Sequence, residues 1–353
     1  MRGEPVGAPG PRTAPGGAAG AKERLDWIDA GRGIAIVMVV LFHAANWLLA
    51  AGAQTSGWVE LNTVVSSLRM PLFFTLSGLF AAKWVRGSWR RLLDVKVRLY
   101  GWVFLVWGLV GSTAFAVGVR MKGEGSLGTI VVPFLLSPVM PRLELWFIWA
   151  LALFFVVAKA TAKVPPVVQV AVALVGAAFA LSGWETASVG WSGSVKYYVF
   201  FLAGMYGRDV VMRLGRTPRT GLLAAVTVAW AGVSLTLWLL GLRDVPGLYL
   251  VNCVLGVLAG IALARALSGV AVLRHVGSHT LPIYLAHTPL IVLTSVALHY
   301  TVPLAGPVVG WLLPPVVGAL AIWAALRLRD VAQRHGAGFL YAPPRWFFGG
   351  RGA

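Results

Sequence analysis

The sequence predicts an all-α, polytopic integral membrane protein with ten transmembrane helices and both termini in the cytoplasm. Three observations carry that expectation. Of the 353 residues, 58% are hydrophobic, more apolar material than a soluble core can use. The apolar residues gather into long runs with few charges. The basic residues then crowd the ends of alternate runs.

The runs fall, in chain order, at roughly 33–51, 63–83, 99–119, 144–160, 166–182, 195–212, 221–241, 248–266, 280–299 and 307–326, each near the length that crosses a bilayer. A cleavable leader is the rival for the first run, because Arg24 precedes it and it ends in small residues. Its length of about 20 residues suits a retained span better. An extra apolar stretch, 127–140, holds Pro133 and Pro138. It is too short to span and reads as an interfacial or re-entrant piece. Residues 1–23, rich in Gly, Ala and Pro, read as a disordered cytoplasmic tail. Residues 24–330 form the membrane domain, and 331–353 a cytoplasmic C-terminal tail.

Basic residues orient the chain. If the segments alternate, 24 of the 30 Lys and Arg fall on the side of the N-terminus, notably the Lys83–Arg98 and Arg208–Arg219 links. The opposite side keeps Arg120, Lys122, Arg142, Lys196 and Arg243, and Arg69 stays inside the second run. The net charge of +18 is then a topology signal with an attraction for anionic lipid headgroups, not a mark of nucleic acid. A multi-pass protein of the cell membrane follows. Trp residues near the run ends read as an interfacial belt. Cys253 is the sole cysteine, which excludes a disulfide framework and a Cys-based metal site.

The first run carries Arg32 and His43. Ionisable groups in hydrocarbon are costly and mark function by default. Eleven residues at about 100° each place both side chains on one helical face, about 16 Å apart, with Asp29 and Asn46 extending the stripe. Arg32 alone reads equally as a snorkelling cation or the i, i+3 partner of Asp29, and a lone membrane His as an interhelical hydrogen bond. His275 and His279 have the i, i+4 spacing of a helical metal pair but no Cys or carboxylate third ligand nearby. No metal is expected.

These residues resemble the start of integral-membrane acyltransferase family 3, the acyltransferase-3 superfamily of O-acyltransferases, whose members begin with Arg-x10-His in the first helix. Further blocks follow in the family's order: Arg69-Met70-Pro71-Leu72-Phe73-Phe74-Thr75-Leu76-Ser77-Gly78, Leu145-Trp146-Phe147, Phe200-Phe201-Leu202-Ala203-Gly204, and Gly277 to Pro289 with Tyr284-Leu285-Ala286-His287. The resemblance covers 24–330. Two positions depart from it. Val95 stands where many members have the first of two arginines, Arg98 matching the second, and Glu144 stands where a His often precedes Leu-Trp-Phe.

The resemblance implies transfer of an acyl group, by family default acetyl, from cytoplasmic acyl-CoA to a hydroxyl or amine of a carbohydrate-type or small-molecule acceptor. Acyl-CoA is a co-substrate, and no bound cofactor is expected. His43 is the candidate general base, with an acyl-His intermediate as the variant, and Arg32 the candidate partner of a CoA phosphate. Arg98, Ser77, Gly78 and His287 are candidates for the donor site. For Ser77 and Gly78, helix packing is the alternative, and for His287 a structural role. Arg69, Glu144 and Asn46 are candidates for the acceptor side. Arg69 either polarises the thioester and holds the acceptor or pairs with Glu144 or Glu60. A transporter or flippase for an anionic or glycosylated solute would use the same polar stripe. The motifs show no internal repeat, which speaks against paired transporter halves.

Overall fold

The computed structural model describes residues 17–121, 128–141, 144–216, 220–301 and 306–347. Among them all regular structure is helical: α1 (Gly17–Ala50), α2 (Ser56–Val64), α3 (Ser66–Gly78), α4 (Ala82–Arg86), α5 (Trp89–Leu92), α6 (Arg98–Met121), α7 (Gly128–Leu136), α8 (Trp146–Ala160), α9 (Pro166–Ala180), α10 (Val189–Tyr206), α11 (Arg208–Leu214), α12 (Thr220–Leu239), α13 (Leu248–Ala266), α14 (Ala271–Ser278), α15 (Thr280–Leu298) and α16 (Pro307–Arg334). A π-helical turn at Leu93–Val97 joins α5 to α6.

Among the described residues six stretches are long and apolar enough to cross a membrane: Asp26–Ala50, Trp89–Val117, Gly221–Leu239, Leu248–Ala266, Thr280–Leu298 and Pro307–Arg334. α8 and α9 are shorter apolar helices. Every predicted run lies on a helix, but two are broken. The second is divided among α2, α3 and α4, and the sixth ends with α10 at Tyr206, where Gly207 caps it and Arg208-Asp209 opens α11. α7 spans nine residues with Pro133 inside it and carries exposed Val131, Val132, Leu135 and Leu136. At about 14 Å it is too short to cross.

The tails depart from expectation. Residues 1–16 lie outside the described residues, but helix begins at Gly17 rather than after residue 23, since Ala18, Ala19, Ala21 and Lys22 are strong helix formers. At the other end, Gly338–Phe347 folds back on α6. The Trp102 indole donates to the Phe339 carbonyl (2.5 Å), Trp107 to Leu340 (2.7 Å) and the Arg98 Nη2 to Pro344 (2.5 Å).

α1 is the central helix, packed against α3, α13, α14, α15 and α16. α3 lies between α10 and α13. Helices in lipid gain little from apolar burial against each other, so close backbone approach and interhelical hydrogen bonds must hold them. Both devices are present. A Cβ on Gly78 would stand 2.1 Å from the Phe201 carbonyl oxygen, and one on Gly204 2.0 Å from that of Thr75, so only glycines permit the α3–α10 crossing. Across α3, α12 and α13, Ser67 accepts from the Trp230 indole (2.9 Å), while Ser234 bonds the Asn252 amide at 3.0–3.1 Å.

Candidate active site

The crossings leave two cavities, one toward each end of α1. The first, about 290 Å³, is lined by Arg32 of α1, Ser77 of α3 and Lys96 of the π turn, among aromatic walls. The Arg32 guanidinium stands 3.8 Å from the Asp29 carboxylate and 5.3 Å from the Phe80 ring centre. Lys96 Nζ lies 5.1 Å from the Trp84 ring and 5.8 Å from Tyr100. Two cations thus share a cavity with no carboxylate in its lining. Such a lining can accept an anion, although Asp29 already pairs with Arg32.

The second cavity, about 360 Å³, is lined by His43, Arg69, Glu144, Trp146, Lys196 and Tyr197, with Glu185, Thr186 and Ser192 beyond them. Arg69 is buried, its guanidinium 4.2 Å over the Phe42 ring, with a long 3.5 Å contact to Asn62 Oδ1. Among the described residues it has no ion pair, so neither Glu144 nor Glu60 neutralises it. Glu144 instead shares the lining of a neighbouring space with Trp47. Lys196 and Glu185 form a 2.9 Å ion pair across the cavity.

One aromatic wall divides the two. Phe73, Phe147 and Tyr284 line both cavities, with ring centres 4.7 Å apart for Phe73–Phe147 and 5.5 Å for Phe147–Tyr284. The Tyr284 hydroxyl donates to the Glu144 carbonyl. His43 sits on the far side of this wall from Arg32, its ring 5.2 Å from that of His287. His287 is fully buried. Its Nδ1 lies 2.7 Å from the Tyr284 carbonyl and 3.1 Å from that of Ile283, which requires the proton on Nδ1. Nε2 then accepts from the Thr288 hydroxyl at 3.1 Å. Its polar atoms are fully used in holding a ring against His43.

The structure therefore gathers His43, Arg69 and Glu144 in one cavity and Arg32 with Ser77 in the other. Four candidates lie elsewhere. Gly78 is a helix-crossing position, filled by the Phe201 backbone. Asn46 is turned back on its own helix, its amide donating to the Phe42 carbonyl at 2.7 Å. His287 lies behind His43 and lines neither cavity. Arg98 is held by the Pro344 carbonyl, because two residues along a helix turn about 200° and Lys96 already faces the cavity. Tyr284, expected beside His287 in a structural or donor-site role, lines both cavities, whereas Lys96, Lys196, Tyr197, Phe73 and Phe147 are lining residues that sequence reasoning missed. For Lys96 a signal existed: it stands beside Val95, where the motif lacks its arginine.

The pair His275 and His279 sits outside both cavities. Their rings are 4.5 Å apart and His279 Nδ1 lies 2.8 Å from the His275 carbonyl. Among the described residues no group of three His, Cys, Asp or Glu side chains could hold a metal ion.

Comparison with known proteins identifies the family. A family model described as an acyltransferase domain, that of acyltransferase family 3, matches residues 25–328. The inner membrane protein YcfT of Escherichia coli (strain K12) is 22% identical over 361 residues, covering 92% of this chain and 97% of that one. No solved structure matches. With the family model spanning both cavities and every helix between them, the chain belongs to acyltransferase family 3 and is a multi-pass membrane protein.

Proposed function

We propose that the protein carries an acyl group across the membrane, from acyl-CoA in the Arg32–Lys96 cavity to an acceptor hydroxyl or amine in the His43–Arg69 cavity. One observation carries this reading: two cavities of different chemistry stand back to back against the Phe73–Phe147–Tyr284 wall, with an imidazole just beyond it. In this reading the ten helical runs cross with both termini in the cytoplasm, so the Arg32 end faces the CoA pool of the cell, and the membrane is the cell membrane.

The chemistry follows from the residues. The CoA phosphates pair with Arg32 and Lys96, and the pantetheine arm runs past Ser77 toward the aromatic wall. The acceptor oxygen attacks the thioester carbonyl carbon while His43 takes its proton, because an imidazole titrates nearest to neutrality. The carbon–sulfur bond breaks, the acyl group stays on the acceptor, and the CoA thiolate leaves and takes up a proton. Arg69 has no neutralising carboxylate, so its charge is available to the oxyanion that forms on the carbonyl. His287 holds the ring of His43 from behind. The mixed lining of Glu144, Glu185, Thr186, Ser192 and Lys196, with Trp146 and Tyr197, suits a polyhydroxylated, carbohydrate-type acceptor. Such a solute donates and accepts at each hydroxyl and stacks its C–H face on aromatic rings.

The test uses membranes containing the full-length protein, incubated with radiolabelled acetyl-CoA and the envelope and metabolite fractions of the host. Label moves into an acceptor fraction with the wild type and not with His43→Ala at equal protein level. Passage of a solute with no covalent change would instead establish a transporter. Because Cys253 is buried, single cysteines placed in the helix links report sidedness with little background. Labelling of the Lys83–Ser88 link from outside would overturn the orientation.

A further inference from the structure

A third space opens beside the two cavities, between α1, α6 and α15. Its walls are apolar: Trp47 and Phe115, whose ring centres stand 5.9 Å apart, close one end, and Leu285, Pro289 and Val292 line α15. On α6 the floor is Gly108 and Gly111, on one helical face at i, i+3. A Cβ at Gly111 would meet no atom within 4 Å, and one at Gly108 would touch only the Phe134 ring of α7 at 3.4 Å. A side chain could therefore be added at Gly111 without meeting a neighbour, whereas one at Gly108 would press on Phe134, which does not line the slot.

Its inner end explains what it is for. Glu144 borders both the slot and the His43 cavity, and Tyr284 borders the slot and both cavities. Three spaces converge on one phenol, at the wall where the transferred carbonyl has to pass. Glu144, Tyr284 and Thr288 give the inner end its polar groups, while the rest of the lining is mostly apolar, so away from that end a water would lack the two to four polar partners it needs. We infer that this slot takes the hydrocarbon tail of the donor's acyl group, and that the protein prefers a short chain over acetyl. The inference rests on the acyl-CoA reading above. A volume of about 60 Å³, set against the roughly 150 Å³ that takes the six carbons of benzene, holds a tail of about two or three carbons beyond the carbonyl. The carbonyl then lies at Tyr284 beside His43, with the tail turned sideways out of the path from donor to acceptor.

Equilibrium binding of CoA, acetyl-CoA, butanoyl-CoA, pentanoyl-CoA and decanoyl-CoA to the full-length protein in nanodiscs tests this. In the wild type, affinity rises from acetyl to butanoyl by up to about fourfold for each buried methylene and gains little further at pentanoyl or decanoyl. Gly111→Leu fills the slot and brings the butanoyl-to-acetyl ratio toward one. Gly111→Ala gives an intermediate ratio and serves if the larger variant fails to fold. If CoA itself does not bind, the acyl-transfer reading falls and the slot falls with it. If CoA binds but chain length has no effect, the slot assignment alone is overturned. A preference that climbs through decanoyl and ignores Gly111 also overturns it, since that is partition into lipid.

Discussion

The cavity around Arg32 and the cavity around His43 share a wall but not a chemistry. The first contains two cations, aromatic faces and no carboxylate. The second mixes Arg69 and Lys196 with Glu144 and Glu185, and adds hydroxyls and two large aromatics. A cavity of one sign attracts a polyanion and repels everything cationic. A cavity of both signs has little net pull and selects by hydrogen-bond geometry instead. Two such sites separated by a few aromatic rings are what transfer between a charged donor and a neutral polar acceptor requires.

The largest effect tests that division directly. His43→Ala removes the proton acceptor from one cavity and leaves the cations of the other untouched. Acyl transfer falls about a hundredfold to ten-thousandfold, the range of general-base contributions, while CoA affinity changes by less than about threefold. Equal losses in both measurements would merge the two cavities into one site. Next in size, Arg32→Met and Lys96→Met each weaken CoA binding by about tenfold to a hundredfold, as expected for a charge-assisted phosphate contact. Their effect fades at high salt. Arg98→Met is the control, with its guanidinium held by the Pro344 carbonyl, and changes CoA affinity by no more than the roughly two- to threefold expected when one anchor of the tail is lost. A tenfold loss there would reassign the donor cation.

The two cavities were unequally legible in the sequence. Arg32, His43 and Arg69 stand out because charge inside an apolar run is rare and costly, and a single helical face relates the first two. The polytopic, all-helical character was legible because apolar length is a one-dimensional property, and among the described residues six helices are long and apolar enough to span. What pairs across helices was not. Lys96 looks like any residue of a basic link until the π turn at Leu93–Val97 carries it into the cavity. Gly78 and Ser77 are adjacent in one motif, yet one meets a backbone and the other lines a cavity, a distinction set by the crossing of α10. Tyr284 and Phe147 come from separate blocks, and neither block alone says that their rings meet. The folding-back of Gly338–Phe347 was illegible because its partners on α6, Trp102 and Trp107, read as interfacial aromatics.

That tail yields the smallest effect and the finest test of the comparison. Gly338 to Pro344 bounds a space of about 730 Å³ that also touches Thr280 and Leu281 of α15, and those two residues line the Arg32 cavity as well. The tail therefore borders the donor side and has no contact with the lining of the His43 cavity. Trp102→Phe keeps a ring against Trp346 and Phe347 but removes the donation to the Phe339 carbonyl, a net loss of about 1 kcal/mol. Amide hydrogen exchange rises in residues 338–347 and stays unchanged in α10. CoA affinity shifts about two- to threefold, because the wall of its approach loosens, and the acceptor's KM stays fixed. A change in that KM with no change in CoA binding would mean the tail acts through the bundle rather than at the cavity it borders.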